Sequence, residues 1–144
     1  MNDAPILLAE DSPDDVLLTR RAFAKSGFGN EITAVPDGEA CLAALLPETG
    51  RTGLDPALVL LDINLPKVGG LDVLRRLRAD PRTRLLPVVI LTTSRERRDV
   101  AAGYRLGANS YVCKPVSFTG FVALVHTLAT YWLEVNEPYP GPPR

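Results

Sequence analysis

Cysteine, histidine and tryptophan are nearly absent, at two, one and one in 144 residues. Cys41 and Cys113 are too far apart for the paired spacing of a zinc site and too few for a disulfide framework. Both read as buried structural thiols in a reducing cytoplasm. The lone His126 falls midway along a helical pattern, on its polar side, and reads as an ordinary surface residue. Charge of one sign is also missing: 16 basic and 17 acidic side chains leave a net charge of −1. That excludes an overall basic field that would draw the chain to nucleic acid or anionic lipid. Arginines do cluster locally, at Arg75, Arg76, Arg78, Arg82 and Arg84 and again at Arg95, Arg97 and Arg98. A solvated helix surface is the plain reading, and a docking patch the alternative. Apolar runs stay short of the roughly 20 residues a membrane span needs. The start "MNDAPILLAED" has neither the basic end nor the cleavage site of a secretory signal. The expectation is a cytoplasmic protein with no membrane segment and no direct nucleic-acid contact.

Hydrophobic residues make up 46% and charged residues 23% of the chain, enough for one domain with a real core. Five short apolar runs are strand candidates: "PILLAE" (5–10), "EITAV" (31–35), "ALVLLD" (57–62), "PVVILT" (87–92) and "SYVCK" (110–114). Three are nearly continuous in apolar residues, as in strands covered on both faces of a parallel sheet. Helical patterns intervene. "DSPDDVLLTRRAFAKSG" offers Ser12 as N-cap, Pro13 at the first helical position, Asp14 and Asp15 in the first turn, and Gly27 as terminator. "GGLDVLRRLRADP" places Leu71, Leu74 and Leu77 on one face, "RDVAAGYRLG" ends at Gly107, and "DGEACLAALL" is a shorter helix. This alternation predicts an open α/β sheet with helices on both faces. The connector 47–56 reads as a surface loop. No repeat, low-complexity segment or linker to a second domain is evident.

The last helical pattern, 118–135, is apolar over an unusually wide arc at about 100° per residue. Phe118, Phe121, Val122, Val125, Ala129 and Trp132 form a core stripe, with Leu124, Leu128, Tyr131 and Val135 in a second stripe beside it. Thr119, Ala123, His126, Thr127 and Thr130 face away. Either the tail covers the second stripe or it is a partner or dimer surface.

In a parallel sheet, sites form where the strands end at their carboxyl edge. The first strand ends on Glu10 and Asp11, the third on Asp62, the fourth on Thr92 and the fifth on Lys114. Crowded carboxylates repel one another, and Lys114 alone cannot balance three. A hard divalent cation, Mg2+, answers that imbalance, since it prefers oxygen ligands and leaves room for water and phosphate oxygens. A carboxylate beside such a cation can attack phosphorus, with the cation, the lysine and the threonine hydroxyl stabilising the phosphoryl oxygens.

Over residues 4–133 the chain resembles the receiver domains of two-component response regulators, through "LLAEDSPDD", "LVLLDINLPKVGGLDVL", "LPVVILTTS" and "GANSYVCKPV". The resemblance implies a doubly wound five-stranded parallel sheet of order 2-1-3-4-5 with five helices. The chain reads as one receiver unit over 1–135, followed by a proline-rich tail over 136–144. The resemblance makes Asp62 the phosphoacceptor, supplied by a phosphohistidine on a sensor kinase. Mg2+ would be held by Glu10, Asp11, Asp62 and the Asn64 backbone carbonyl, and the phosphoryl group would be bound by Thr92 and Lys114. Thr92 and Tyr111 would form the conformational switch, Asn64 and Ser94 would tune dephosphorylation, and Pro115 would follow a cis peptide bond. "EDSPDD", "LTTS", "KPV" followed by Phe and the late "YWL" are similar to stand-alone receivers paired with phytochrome-type kinases. Members of that group often dimerise through the fourth helix, fifth strand and fifth helix. This makes Leu124, Leu128, Tyr131 and Val135 interface candidates. Glu10 stands where Asp is frequent, and Thr93 where a smaller residue is often found.

Other readings are weaker. A haloacid-dehalogenase-type phosphatase needs a carboxylate two residues after its nucleophile, and position 64 is Asn. A flavodoxin-like cofactor site would be repelled by Glu10 and Asp11. No helix-turn-helix pattern suggests a transcription factor. A receiver of this kind is expected to be a phosphoacceptor and not a turnover enzyme. Its phosphate would end in a changed surface or, alternatively, pass on to a histidine phosphotransfer protein.

Overall fold

The computed structural model describes residues 2–48 and 53–141. Strands β1 (Ile6–Ala9), β2 (Ile32–Val35), β3 (Leu58–Leu61), β4 (Val88–Thr92) and β5 (Ser110–Cys113) alternate with helices α1 (Pro13–Lys25), α2 (Gly38–Leu45), α3 (Gly70–Ala79), α4 (Arg97–Arg105) and α5 (Phe118–Ala129). The strands form one sheet in the order β2-β1-β3-β4-β5, and every pairing is parallel. The expected topology is present, and each strand lies within its predicted run.

The continuous apolar strands supply two cores at once, because successive side chains point to opposite faces. Ile6, Leu8, Leu58, Leu60, Val89 and Leu91 pack with Phe23 of α1 and with Phe121 and Val125 of α5. Leu7, Ala9, Val59, Leu61, Val88 and Ile90 pack with Cys41, Val73, Leu74 and Leu77 from α2 and α3. β5 is only half-buried along its length, as befits an edge strand. The predicted caps are present: the Ser12 side chain accepts from the Asp15 N–H, and Gly27 and Gly107 take positive φ just past α1 and α4.

Several expectations need correction. The last helix does not keep its 100° spacing. After Ala129 it widens into a π-helical turn, Thr130–Val135, with the Asn136 N–H donating to the Tyr131 carbonyl at 2.6 Å. The widening turns Leu133, absent from either predicted stripe, into the core at 1% exposure. Leu128, at 8% exposure, is also core, so it serves the fold and not a surface. Leu124 is half-buried, while Tyr131 and Val135 are exposed. The segment Phe118–Val135 is, by length and composition, long and apolar enough to cross a membrane. Its apolar side nonetheless packs on the sheet. Cys41 is buried, but Cys113 is only half-buried. The peptide bond before Pro115 is trans, the isomer favoured even before proline. Residues 49–52 of the expected surface connector and 142–144 of the expected tail lie outside the described residues.

Candidate functional site

The parallel register brings the carboxyl ends of β1, β3, β4 and β5 to one edge. Asp62, the first residue past β3, is 7% exposed. Its N–H donates to the Ala9 carbonyl at 3.1 Å, which ties it to the end of β1. One carboxylate oxygen, Oδ1, accepts from the Asn64 N–H at 2.9 Å and from the Thr92 hydroxyl at 3.0 Å. The other, Oδ2, lies 3.1 Å from the Lys114 ammonium. Lys114 is placed by its own N–H, which donates to the Thr92 carbonyl at 2.8 Å and continues the ladder one residue past β5.

Glu10 reaches the same ammonium through Oε1, and its Oε2 accepts from the Ser12 N–H at 3.2 Å. Burial pushes the Glu10 carboxyl above the ordinary glutamate range, against the opposing pull of Lys114. For Lys114 burial acts downward, but the hydrogen bonds and charges of Glu10 and Asp62 outweigh it and hold the ammonium well above the ordinary lysine range. Among the described residues no buried side-chain nitrogen or oxygen lacks a partner. Asp11 is exposed beside the cluster and is not one of the lysine's partners.

The predicted set is therefore divided. Glu10, Asp62, Thr92 and Lys114 meet directly. Asn64 contributes its N–H to Asp62, and Asp11 stands outside the hydrogen-bonded group. No three acidic, cysteine or histidine side chains among the described residues are already arranged as metal ligands. Donor chemistry nevertheless suits a hard divalent cation, because Glu10, Asp11, Asp62 and the Asn64 carbonyl offer oxygen alone.

A second cluster extends from Thr92. The Ser94 carbonyl accepts from the Tyr111 hydroxyl at 2.9 Å and lies 3.5 Å from the Cys113 Sγ. The Ser94 hydroxyl donates to Asp99 Oδ2 at 2.6 Å, in the first turn of α4. Tyr111, expected in the switch, and Ser94, expected to tune dephosphorylation, are thus joined by a hydrogen bond that no sequence spacing indicates.

Two contributors were not recognised in the sequence. Asp15, read only as a helix first-turn acid, places Oδ2 3.1 Å from Lys114. Its position one turn into the helix that follows β1 was the available signal. Gly70 is the other: a Cβ there would lie 2.2 Å from the Asp62 carbonyl oxygen and 2.6 Å from the Ile63 Cα. Only glycine lets α3 begin so close to the end of β3.

Comparison with known proteins gives the same frame. The model of the response regulator receiver domain matches residues 6–126. The probable methanogenesis regulatory protein FilR2 of Methanothrix harundinacea is 43% identical over 138 residues, spanning 95% of this chain and 88% of FilR2. Response regulator Rcp1 of Synechocystis is 37% identical over 131 residues, 90% of this chain and 88% of Rcp1. The crystal structure of Rcp1 in its Mn2+-bound form aligns with a TM-score of 0.84 at 34% identity, covering 94% of this chain and 99% of that one. The crystal structure of the phosphorylated cyanobacterial phytochrome response regulator RcpA aligns with a TM-score of 0.86 at 31% identity, covering 97% and 100%. With family match and fold in agreement, this chain belongs to the response regulator receiver domains, which take up a phosphoryl group on an aspartate and signal by changing conformation rather than by turning over substrate.

Proposed function

We propose that Asp62 is the phosphoacceptor and that a sensor histidine kinase supplies the phosphoryl group. The observation that carries this reading is the pair of oxygens at the end of the central strand. One is held by Thr92 and the Asn64 N–H, and the other by Lys114. In the transfer the P–N bond of a phosphohistidine breaks as a P–O bond to Asp62 forms. Lys114 and Thr92 donate to the phosphoryl oxygens. Mg2+, held by Glu10, Asp11, Asp62 and the Asn64 carbonyl, supplies neutralising charge for those oxygens. The Mn2+-bound form of Rcp1 supports a divalent ion here.

Thr92 and Tyr111 act as the switch. When Thr92 turns to the phosphoryl group, the segment through Ser94 shifts, and with it the carbonyl that holds the Tyr111 hydroxyl. Asn64 and Ser94 flank the path of attacking water and set the phosphoryl lifetime. The kinase is of phytochrome type, a reading supported by the likeness to RcpA, and the protein works in the cytoplasm. Residues 1–135 act as the receiver unit and 136–144 as an appended tail. The chain pairs with a second copy through Leu124, Tyr131 and Val135. The exposure of Tyr131 and Val135 on the last helix supports an interface there.

Intact-mass measurement after incubation with acetyl phosphate tests the core of this reading. The expected result is a labile gain of one phosphoryl group that requires a divalent cation and disappears in Asp62→Asn. A gain that survives in Asp62→Asn assigns the acceptor elsewhere.

A further inference from the structure

An ammonium group carries three hydrogens, and three carboxylates surround that of Lys114: Glu10, Asp15 and Asp62. Its donor capacity is full. Glu10 and Asp62 come from strand ends and their side chains are 4% and 9% exposed. Asp15 comes from α1 and its side chain is 39% exposed. Its backbone is fixed at both ends of the first turn: the Asp15 N–H donates to the Ser12 hydroxyl at 3.3 Å, and the Asp15 carbonyl accepts from the Thr19 hydroxyl at 2.7 Å. The side chain therefore reaches Lys114 from a rigid base.

A phosphoryl group on Asp62 adds oxygens that require the same ammonium, so one carboxylate must yield. Glu10 is buried and stays beside the lysine and the proposed cation, since moving its charge out of that setting is costly. Asp15 can exchange the lysine for water at little cost, because exposed ion pairs contribute little.

We propose that Asp15 is a positioning residue for Lys114, holding its third N–H in the unphosphorylated protein and surrendering it to the phosphoryl group on Asp62. This rests on the reading of Asp62 as acceptor. Asp15 then restrains phosphoryl uptake in two ways: it occupies the lysine, and it adds a negative charge to the cleft that a phosphodonor must enter. Its release also frees the first turn of α1 from β5, so phosphorylation is felt on α1 as well as at Tyr111.

The test follows phosphoryl uptake from acetyl phosphate by intact mass in wild type, Asp15→Asn, Asp15→Glu and Asp62→Asn, across a Mg2+ titration. In the reaction the acetyl phosphate P–O bond breaks, a P–O bond to Asp62 forms, and acetate leaves with the electron pair. Asp15→Asn is expected to raise the maximal rate and lengthen the phosphoryl lifetime, each about two- to fivefold, the range of a partly exposed ion pair. The Mg2+ half-saturation point rises by less than the rate does, because Asp15 adds charge near the cation without holding it, and Asp15→Glu returns towards wild type. An unchanged or slower rate in Asp15→Asn overturns the proposal. So does a shift confined to Mg2+ half-saturation, which would place Asp15 on the cation instead of the lysine. A mass gain that persists in Asp62→Asn, or none in folded wild type, removes the acceptor reading itself and the proposal with it.

Discussion

Lys114→Met preserves most of the side-chain stem and removes the charge that two buried carboxylates share. Glu10 and Asp62, at 4% and 9% side-chain exposure, would face each other with no cation between them. Breaking a buried ion pair by removing one partner costs about 3–5 kcal/mol. The half-exposed Asp15 adds at most about 1 kcal/mol. With a urea dependence of about 2 kcal/mol per molar, a loss of about 4 kcal/mol lowers the unfolding midpoint by about 2 M.

The pH dependence has a definite sign. Without the lysine nothing opposes the burial that pushes the Glu10 carboxyl upward in the folded state, so the fold takes up a proton that the unfolded chain does not hold. The penalty is then fully present at pH 8 and shrinks towards pH 5. Urea unfolding in the presence of a chelator, followed by fluorescence of the single Trp132, measures both. Adding Glu10→Gln to Lys114→Met should recover part of the loss at pH 8, because one unpaired charge is gone. A penalty under about 1 kcal/mol at pH 8, or one equal at the two pH values, would refute the view that Lys114 is the structural counter-ion of this edge.

Other consequences follow from single positions. Burial pushes the Cys41 thiol from 9.0 up to about 12, so its contribution to stability is intact below pH 9 and is lost as pH rises from 9 through 12. Thermal melts of Cys41→Ala should fall less steeply than wild type over that interval. Leu128→Ala should cost about 2–5 kcal/mol in urea unfolding, as a core truncation does. Tyr131→Ala should unfold near wild type while sedimentation shows weaker self-association, and unchanged sedimentation of a dimer would place the interface elsewhere. Gly70→Ala forces a Cβ to within 2.2 Å of the Asp62 carbonyl oxygen. It should lower stability by about 1–3 kcal/mol and slow phosphoryl uptake, measured by denaturation and intact mass.

The sequence by itself determined the elements and their arrangement. "ALVLLD" and "PVVILT" are too continuously apolar for strands with a wet face, and the helix caps are written in Ser12, Pro13, Gly27 and Gly107. The alternation of the two patterns leaves few topologies other than a parallel sheet. Because parallel strands all end at one edge, Glu10, Asp62, Thr92 and Lys114 were legible as neighbours before any coordinate was known.

What remained depends on contacts between residues far apart in the chain, which no local pattern encodes. Asp15 reaches Lys114 across 99 positions, and only the tilt of α1 over the sheet decides that it does. The Ser94 carbonyl receives Tyr111 because the loop after β4 folds over β5. Even the last helix escaped its own periodicity. A regular 100° spacing has no place for the π turn at Thr130–Val135, whose extra residue per turn rotates Leu133 inward and leaves Tyr131 and Val135 outside. Local sequence sets what a segment can be; packing against the rest of the chain sets which way its side chains finally face.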